Sequence, residues 1–259
     1  MFDVVIVNYN KPLGDITVLP QLEAEALVER ILVCDNSTRD MGLRRDALGH
    51  QKLAILPMAG NVGLPRAYNA AIERSDASFI CLLDDDSPIP KDFFSLSARH
   101  IATNPSADIF LPVVSTPDGK AMSPVNRGKY VPVRMNSIDE LGDTISAINS
   151  GMIVRSSVYE TYRYDETLFL DFVDHRFMDD MRTRGITYCI MRDVRFVQNF
   201  SRLEFNPQAE RARYRIYAKD AVAFWRTWPL DYRVHGQVHL WGRKLALARK
   251  YHDVSFLFL

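Results

Sequence analysis

Neither sign of charge is in excess: 32 Lys and Arg balance 32 Asp and Glu among 259 residues, a formal net of +0. With no global field, the chain as a whole favours neither nucleic acid nor an anionic surface, and no nucleic-acid partner is expected. Cysteine is scarce. Cys34, Cys81 and Cys189 are odd in number and lack metal-site spacing, and two of them sit in apolar runs. They read as buried free thiols in a reducing compartment. No apolar run is long enough to span a bilayer. The opening "MFDVVIVNYN" carries an acid and runs straight into a strand-like segment. No signal peptide is therefore expected, and the expected location is cytoplasmic. A G-x-S-x-G elbow, a Walker loop and a G-x-G-x-x-G turn are all missing, which sets aside esterases, P-loop enzymes and nicotinamide-dependent oxidoreductases. Internal repeats and low-complexity segments are absent as well.

What is there is an alternation. At 47% hydrophobic and 25% charged, the composition is that of a globular protein. "DVVIVNY", "RILVCDNS", "KLAILPMAGN" and "ASFICLLDDD" are short apolar runs. Between them, "LPQLEAEALVER" and "GLPRAYNAAIERS" have helical spacing. Continuously apolar strands alternating with amphipathic helices predict an α/β fold with a mostly parallel sheet covered on both faces. Ligands of such sheets bind beyond the carboxyl ends of the strands. Each run ends in polar residues: Asn8 and Asn10; Asp35, Asn36 and Ser37; Asn61; Asp84, Asp85 and Asp86. These four sets are predicted to line one rim.

The segment from about 115 to 142, rich in Pro, Gly, Ser and Asn, reads as a loop or irregular hairpin near the site. "AINSGMIVRSSVYE" restores a strand and a helix start, and "YDETLFLDFVDHRFMDDMRTRG" leads into a helix that stops at Gly185. "ITYCIMRDVRFVQNF" gives one or two further strands. From Asn206 the chain reads as helical, with a second helix through "HGQVHLWGRKLALARKY". Charge is uneven: residues 200–259 hold eleven Lys and Arg against five Asp and Glu, a net of +6, so the rest carries −6. This basic tail, with Trp225, Trp228 and Trp241, suits either a peripheral contact with an anionic membrane or packing on the body and oligomer contacts.

Three adjacent carboxylates repel one another. In an extended chain Asp84 and Asp86 lean to one side and Asp85 to the other. The first two then form a hard oxygen site for Mn²⁺ or Mg²⁺, and a bound ion reverses the repulsion. Alternatively, the triplet serves turn and helix-cap chemistry, with Asp86 or Ser87 as the cap; the two readings are compatible. A second acidic group comprises Asp165, Glu166, Asp171, Asp174, Asp179 and Asp180. Within it, Asp174 ends an apolar approach and is either a general base or an acid on the favourable end of a helix dipole. His235 and His239 have helical metal-ligand spacing without the accompanying Glu, and read as surface or packing histidines.

In this order and spacing, the strings resemble family-2 glycosyltransferases with the GT-A fold, the bacterial polysaccharide rhamnosyltransferases and galactofuranosyltransferases in particular, over about residues 3 to 202. "VVIVNYN" is similar to the family's opening strand, with Asn8 and Asn10 at its end. "VCDNSTRD" resembles its "VDNxS" segment, which implies pyrimidine recognition by Asp35 beside Asn36. "NVGLPRAYNAAI" is similar to "NxGxxxAxNxG", which implies nucleotide-sugar contacts around Asn61, Gly63, Arg66 and Asn69. "LLDDDSPIP" stands where the family has its DXD motif, so Asp84 and Asp86 are the implied metal ligands and Asp85 a donor contact. "INSGMIVRSSVYE" resembles the acceptor-side stretch, which implies roles for Asn149, Ser150 and Gly151. "YDETLFLDFVDHRFMDDMRTRG" resembles "FDExLFIDYVDxEWxxRxxxxG", which places Asp174 as the base, with Asp171, His175 and Arg176 on the acceptor side. Two positions depart from the family: Arg176 replaces a common acid and suits a charged acceptor or a phosphate, and Gln198 or Asn199 stands near a frequent His and offers a neutral oxygen to the metal.

The resemblance implies an inverting, metal-dependent transfer of a rhamnose- or galactofuranose-like sugar from a UDP- or dTDP-sugar. The implied acceptor is a saccharide or lipid-linked saccharide in cell-surface polysaccharide synthesis. The expected organisation is a catalytic domain over 1–202, split near 112 into nucleotide-sugar and acceptor halves, and a helical extension over 203–259. Two other readings share parts of the pattern, a nucleotidyltransferase and a catalytically inactive nucleotide-sugar-binding module.

Overall fold

The computed structural model describes residues 1–86, 88–130, 132–133, 135–198 and 206–259. Ser87 and Asn199, expected as a helix cap and a metal ligand, lie outside the described residues. The chain runs β1 (Phe2–Asn8), α1 (Leu19–Ala24), β2 (Val28–Asp35), α2 (Leu43–Asp46), β3 (Leu53–Pro57), α3 (Leu64–Ile72), β4 (Phe79–Leu83) and α4 (Phe93–Thr103). Then follow β5 (Ile109–Ser115), β6 (Ala121–Ser123), β7 (Val125–Asn126), β8 (Ile145–Ser146) and β9 (Met152–Arg155). The last elements are α5 (Val173–Thr183), β10 (Tyr188–Val197), α6 (Pro207–Arg226) and α7 (Leu230–Tyr251).

The main sheet has the order β10-β5-β9-β4-β1-β2-β3, with β6 hydrogen-bonded to β5. Strands β3, β2, β1 and β4 are mutually parallel, as are β5 and β10, while β9 runs antiparallel between β4 and β5. The continuous apolar runs have a direct cause. Val5, Leu32, Cys34, Ile80 and Leu82 pack under α3, α5 and α6, whereas Val4, Ile6, Val33, Cys81 and Leu83 pack under α1 and α4. Alternate side chains thus meet a different helical layer, and neither face can afford polar residues.

This topology collects one rim. The carboxyl ends of β1, β2, β3 and β4 share it, as the run endings predicted. Because β9 is antiparallel, its start at Asn149, Ser150 and Gly151 joins them, tied by Gly151 N donating to Leu82 O at 2.8 Å. Gln198, just past β10, joins through its N–H to Ser115 O at 2.9 Å.

Three expectations need adjusting. The helix read over "LPQLEAEALVER" ends at Ala24, because Val28 already pairs with Phe2 in the sheet. The aspartate triplet does not continue its strand. The parallel ladder with β1 ends at Leu83, and Asp85 and Asp86 form a turn. The helix after it starts only at Phe93 with Asp92 as N-cap, so Asp86 caps nothing. The helix read from His235 begins five residues earlier, at Leu230.

The described tail continues the body's core. Tyr214, Tyr217, Ala221, Phe224 and Trp225 of α6 belong to the same apolar cluster as Val173 and Phe177 of α5. The expected Asn206 start is observed: its side chain accepts from Gln208 N and Ala209 N, satisfying two of the first-turn donors. No helix among the described residues is long and apolar enough to cross a membrane.

Candidate active site

A cavity of about 570 Å³ opens at the rim. It is lined by Asp84 and Asp86 from the β4 end, Asn149 and Ser150 from the approach to β9, Asp174 from the first turn of α5, and Gln198. Six side chains singled out from the sequence therefore meet in one place, although they span more than a hundred residues of chain. The turn after Leu83 preserves the expected division of the triplet by a different route. Asp84 and Asp86 line the cavity, while Asp85 bonds Lys11 Nζ at 2.8 Å. Burial pushes the Asp85 carboxyl up; Lys11 opposes this, and the neighbouring Asp86 and Asp84 charges add to the rise.

Asp84 is held by two neighbours on the cavity wall. Ser150 Oγ donates to Asp84 Oδ2, and Gln198 Nε2 donates to the same oxygen at 2.9 Å. Gln198 Nε2 also reaches Ser150 Oγ at 3.0 Å. This network fixes the carboxylate's orientation before any ligand arrives. Gly151 permits it: at φ +76° a Cβ would meet the Phe196 ring at 2.7 Å.

Asp174 receives the backbone N–H of His175 at 2.8 Å on one oxygen. It stands at the positive end of the α5 dipole, which suits its negative charge. Near both acid sites lies Tyr68 of α3. Burial first, then the Asp84 and Asp174 charges, holds its phenol well above the usual value, with Asn149 acting in the opposite direction. Tyr68 is thus a neutral hydroxyl on the cavity wall. Its apolar neighbours Ala67, Ala71 and Ile72 hid it in the sequence; only the hydroxyl at a helix's rim-facing start distinguishes it.

Other expected residues build the frame. Asn36 Nδ2 donates to Asn61 Oδ1 at 3.2 Å and its Oδ1 accepts from Val62 N at 3.1 Å, closing the loop ahead of α3. Asn10 and Thr38 bond each other across the β1 and β2 ends, and Asp35 Oδ1 accepts from Ser37 N. Asn8 Nδ2 donates to Lys11 O at 3.0 Å. Asn69 bonds Tyr164 O, Tyr164 N and Glu166, and Arg66 pairs with Glu166 at 3.2 Å. Gly63 lies directly under Phe169, whose carbonyl accepts from Leu64 N at 2.7 Å.

The residues around Asp174 also turn away from the cavity. Asp171 pairs with Arg213 and His175 Nδ1 meets Ser146 Oγ at 2.7 Å. Arg176, expected to meet a charged acceptor or a phosphate, donates instead to Phe224 O at 2.6 Å and lies over the Phe224 ring. Its departure from the family's acid is thereby occupied by the end of α6. Lys11 and Asp220, a wholly buried acid of α6, were not singled out beforehand.

A divalent ion would find oxygen donors here. Among the described residues, no three His, Cys, Asp or Glu side chains are grouped so as to hold a metal alone. Two carboxylates and the amides of Asn149 and Gln198 do share the cavity, and Asn149 Oδ1 is buried without a protein partner. Mg²⁺ and Mn²⁺ favour such all-oxygen sets, taking one or two carboxylates and completing the shell with water and substrate phosphates. The residues fit an ion that arrives with a diphosphate.

A family model described as glycosyl transferase family 2 matches residues 3–163, more than half of the chain. The dTDP-rhamnosyl transferase RfbF of Shigella flexneri is 28% identical over 202 residues, covering 74% of this chain and 67% of that protein. Among solved structures, residues 1–349 of S. aureus TarS in complex with UDP align over 98% of this chain and 71% of theirs, with TM-score 0.57 and 15% identity. The mannosyltransferase PcManGT from Pyrobaculum calidifontis, in complex with GDP-Man and Mn²⁺, aligns over 98% and 72%, with TM-score 0.61 and 11% identity. At such identities the structural likeness carries the fold, which is GT-A.

Proposed function

The chain belongs to glycosyl transferase family 2 and is a glycosyltransferase, and from that premise we propose that it transfers a sugar with inversion from a nucleoside-diphosphate sugar to a saccharide hydroxyl. One observation carries the reading: Asp84, Asp86 and Asp174 line a single cavity, with neutral Tyr68 on its wall near both acid sites. Two carboxylates stand where a diphosphate and its cation belong, and a separate one stands where a proton must go.

The donor is a dTDP- or UDP-sugar with its diphosphate toward Asp84 and Asp86; the named activity of the Shigella relative favours dTDP-rhamnose over a galactofuranose donor. Asp35, Asn36, Asn61 and Gly63 shape the nucleoside end of the rim, within a nucleotide-sugar half of about 1–112. Asp84 and Asp86 would hold Mn²⁺ or Mg²⁺, with Gln198 or Asn199, the latter outside the described residues, as a further oxygen; the ion would supply Lewis-acid stabilisation of the leaving diphosphate. The Mn²⁺ of the mannosyltransferase complex supports this. The acceptor enters over Asn149, Ser150 and Asp174, in the half spanning 113–202. Asp174 takes the acceptor hydroxyl proton as the oxygen forms its bond to the anomeric carbon. The bond from that carbon to the diphosphate oxygen breaks, and the nucleoside diphosphate leaves with the electron pair. Inversion needs the acceptor oxygen in line with the bond to the leaving diphosphate, which is what binding donor and acceptor in one cavity would supply.

The test titrates dTDP-rhamnose and UDP-sugars with and without Mn²⁺, then repeats this with Asp86→Ala and Asp174→Asn. Asp86→Ala should lose the metal-dependent part of nucleotide-sugar binding. Asp174→Asn should keep binding and lose transfer by roughly 10²–10⁴-fold, the usual worth of a general base. Normal turnover by Asp174→Asn sinks the base assignment, and failure to bind any nucleotide-sugar sinks the whole reading.

A further inference from the structure

The family match ends at residue 163, eleven residues before the carboxylate assigned as base. What holds that carboxylate in place comes from farther along the chain. Asp220 of α6 is wholly buried. Its Oδ1 accepts from Phe169 N at 2.9 Å, and its Oδ2 accepts from Leu170 N and Asp171 N, both at 2.8 Å. Three consecutive backbone N–H groups thus converge on one side chain, a local arrangement that binds anions strongly. These are the last residues before Phe172, which takes the left-handed φ of 63° that turns the chain into α5.

Two further ties come from the same helix. Arg213, two turns before Asp220, grips the Asp171 carboxylate with both guanidinium nitrogens. Arg176, on the other side of Asp174, donates to Phe224 O near the end of α6. Asp174 is therefore bracketed, three residues before and two residues after, by side chains bonded to α6. Leu170, between two of the clamped amides, lines the cavity itself.

We propose that Asp220 is a positioning residue for the base, and that α6 is a working part of the catalytic centre. The proposal rests on Asp174 being the base. Asp220 touches no substrate; it sets the height and angle at which the first turn of α5 presents Asp174. An amide in its place accepts at one atom and turns an NH₂ toward backbone donors, so the 169–171 loop must shift. A displacement of about 1 Å at a reacting group costs up to about 10²-fold in rate.

The test uses the full chain and three variants, Asp220→Asn, Arg213→Gln and Asp174→Asn. Each is assayed for donor affinity, for kcat and KM of transfer, and for the pH dependence of kcat/KM. Asp220→Asn should bind the donor within about twofold of the wild type yet lose about 10–100-fold in kcat, with the acid limb of its pH profile displaced. Arg213→Gln should move the same parameters less, and it carries the test if Asp220→Asn does not fold. Wild-type kcat and pH profile in both variants, beside an inactive Asp174→Asn, overturn the proposal and leave the base assignment standing. Donor affinity and kcat falling in parallel, with an unmoved pH profile, also overturn it in favour of a merely structural role. An active Asp174→Asn removes the base assignment itself.

Discussion

Gly63 has φ at +87°, and a Cβ there would lie 2.7 Å from the Phe169 carbonyl oxygen and 3.1 Å from its Cα. The obstacle is backbone and cannot swing aside. Gly63→Ala should therefore cost about 3 kcal/mol, combining left-handed strain with overpacking, read as a fall in the denaturation midpoint. The sequence string around it identified a ligand-binding loop by residue type alone. Type does not disclose direction: Asn36, Asn61 and Asn69 use their amides on neighbouring loops, whereas Asp84, Asp86, Asn149 and Asp174 reach the cavity. Asp220 was unreadable for a different reason. Its partners are peptide N–H groups about fifty residues away, and every residue but proline offers one, so no pattern marks them.

At the scale of elements, α6 and α7 form a pair whose contact depends on a small residue. A Cβ at Gly236 would lie 2.4 Å from the Trp225 ring, so this glycine is what lets α7 lie against α6. The helix also starts earlier than its apolar spacing suggested, because Pro229, which has no N–H to satisfy, provides the extended entry. His239 of α7 meets the Tyr217 hydroxyl of α6 at 2.7 Å. Burial, then His235 and Arg243, holds its imidazole below the usual value of 6.5. The folded state therefore binds the proton less readily than the unfolded chain, and stability rises with pH through that window. The contribution is fully present above about pH 6.5 and is lost as the pH falls through the lower folded value. Thermal melts between pH 7.5 and 5 should show a declining Tm, and His239→Gln should flatten part of the slope. An unchanged slope would assign the acid sensitivity elsewhere.

Across the whole molecule, the sheet was legible because both of its faces are covered, which made each strand continuously apolar. The insertion of antiparallel β9 was not, since pairing direction leaves no mark on a four-residue run. The uneven charge does have a spatial counterpart. Leu230, Val234, Val238, Trp241 and Leu245 are all more than half exposed along the outer side of α7, in a tail carrying a net of +6. That combination suits an anionic bilayer surface. The chain should co-sediment with phosphatidylserine vesicles at low salt and be released by high salt, and Trp241→Glu should weaken the binding. Equal recovery with neutral and anionic vesicles would exclude this role.

The clamp on residues 169–171 also sets an order of events in biosynthesis. Their amides meet their acceptor only when Asp220 has been made and α6 has packed. At roughly 5–20 residues per second, the stretch from Gln198 to Asp220 takes about one to four seconds to make, so the Asp84 side is complete in sequence before the Asp174 side can be locked. Until α6 is in place, a nascent chain lacks the tie that holds the approach to α5.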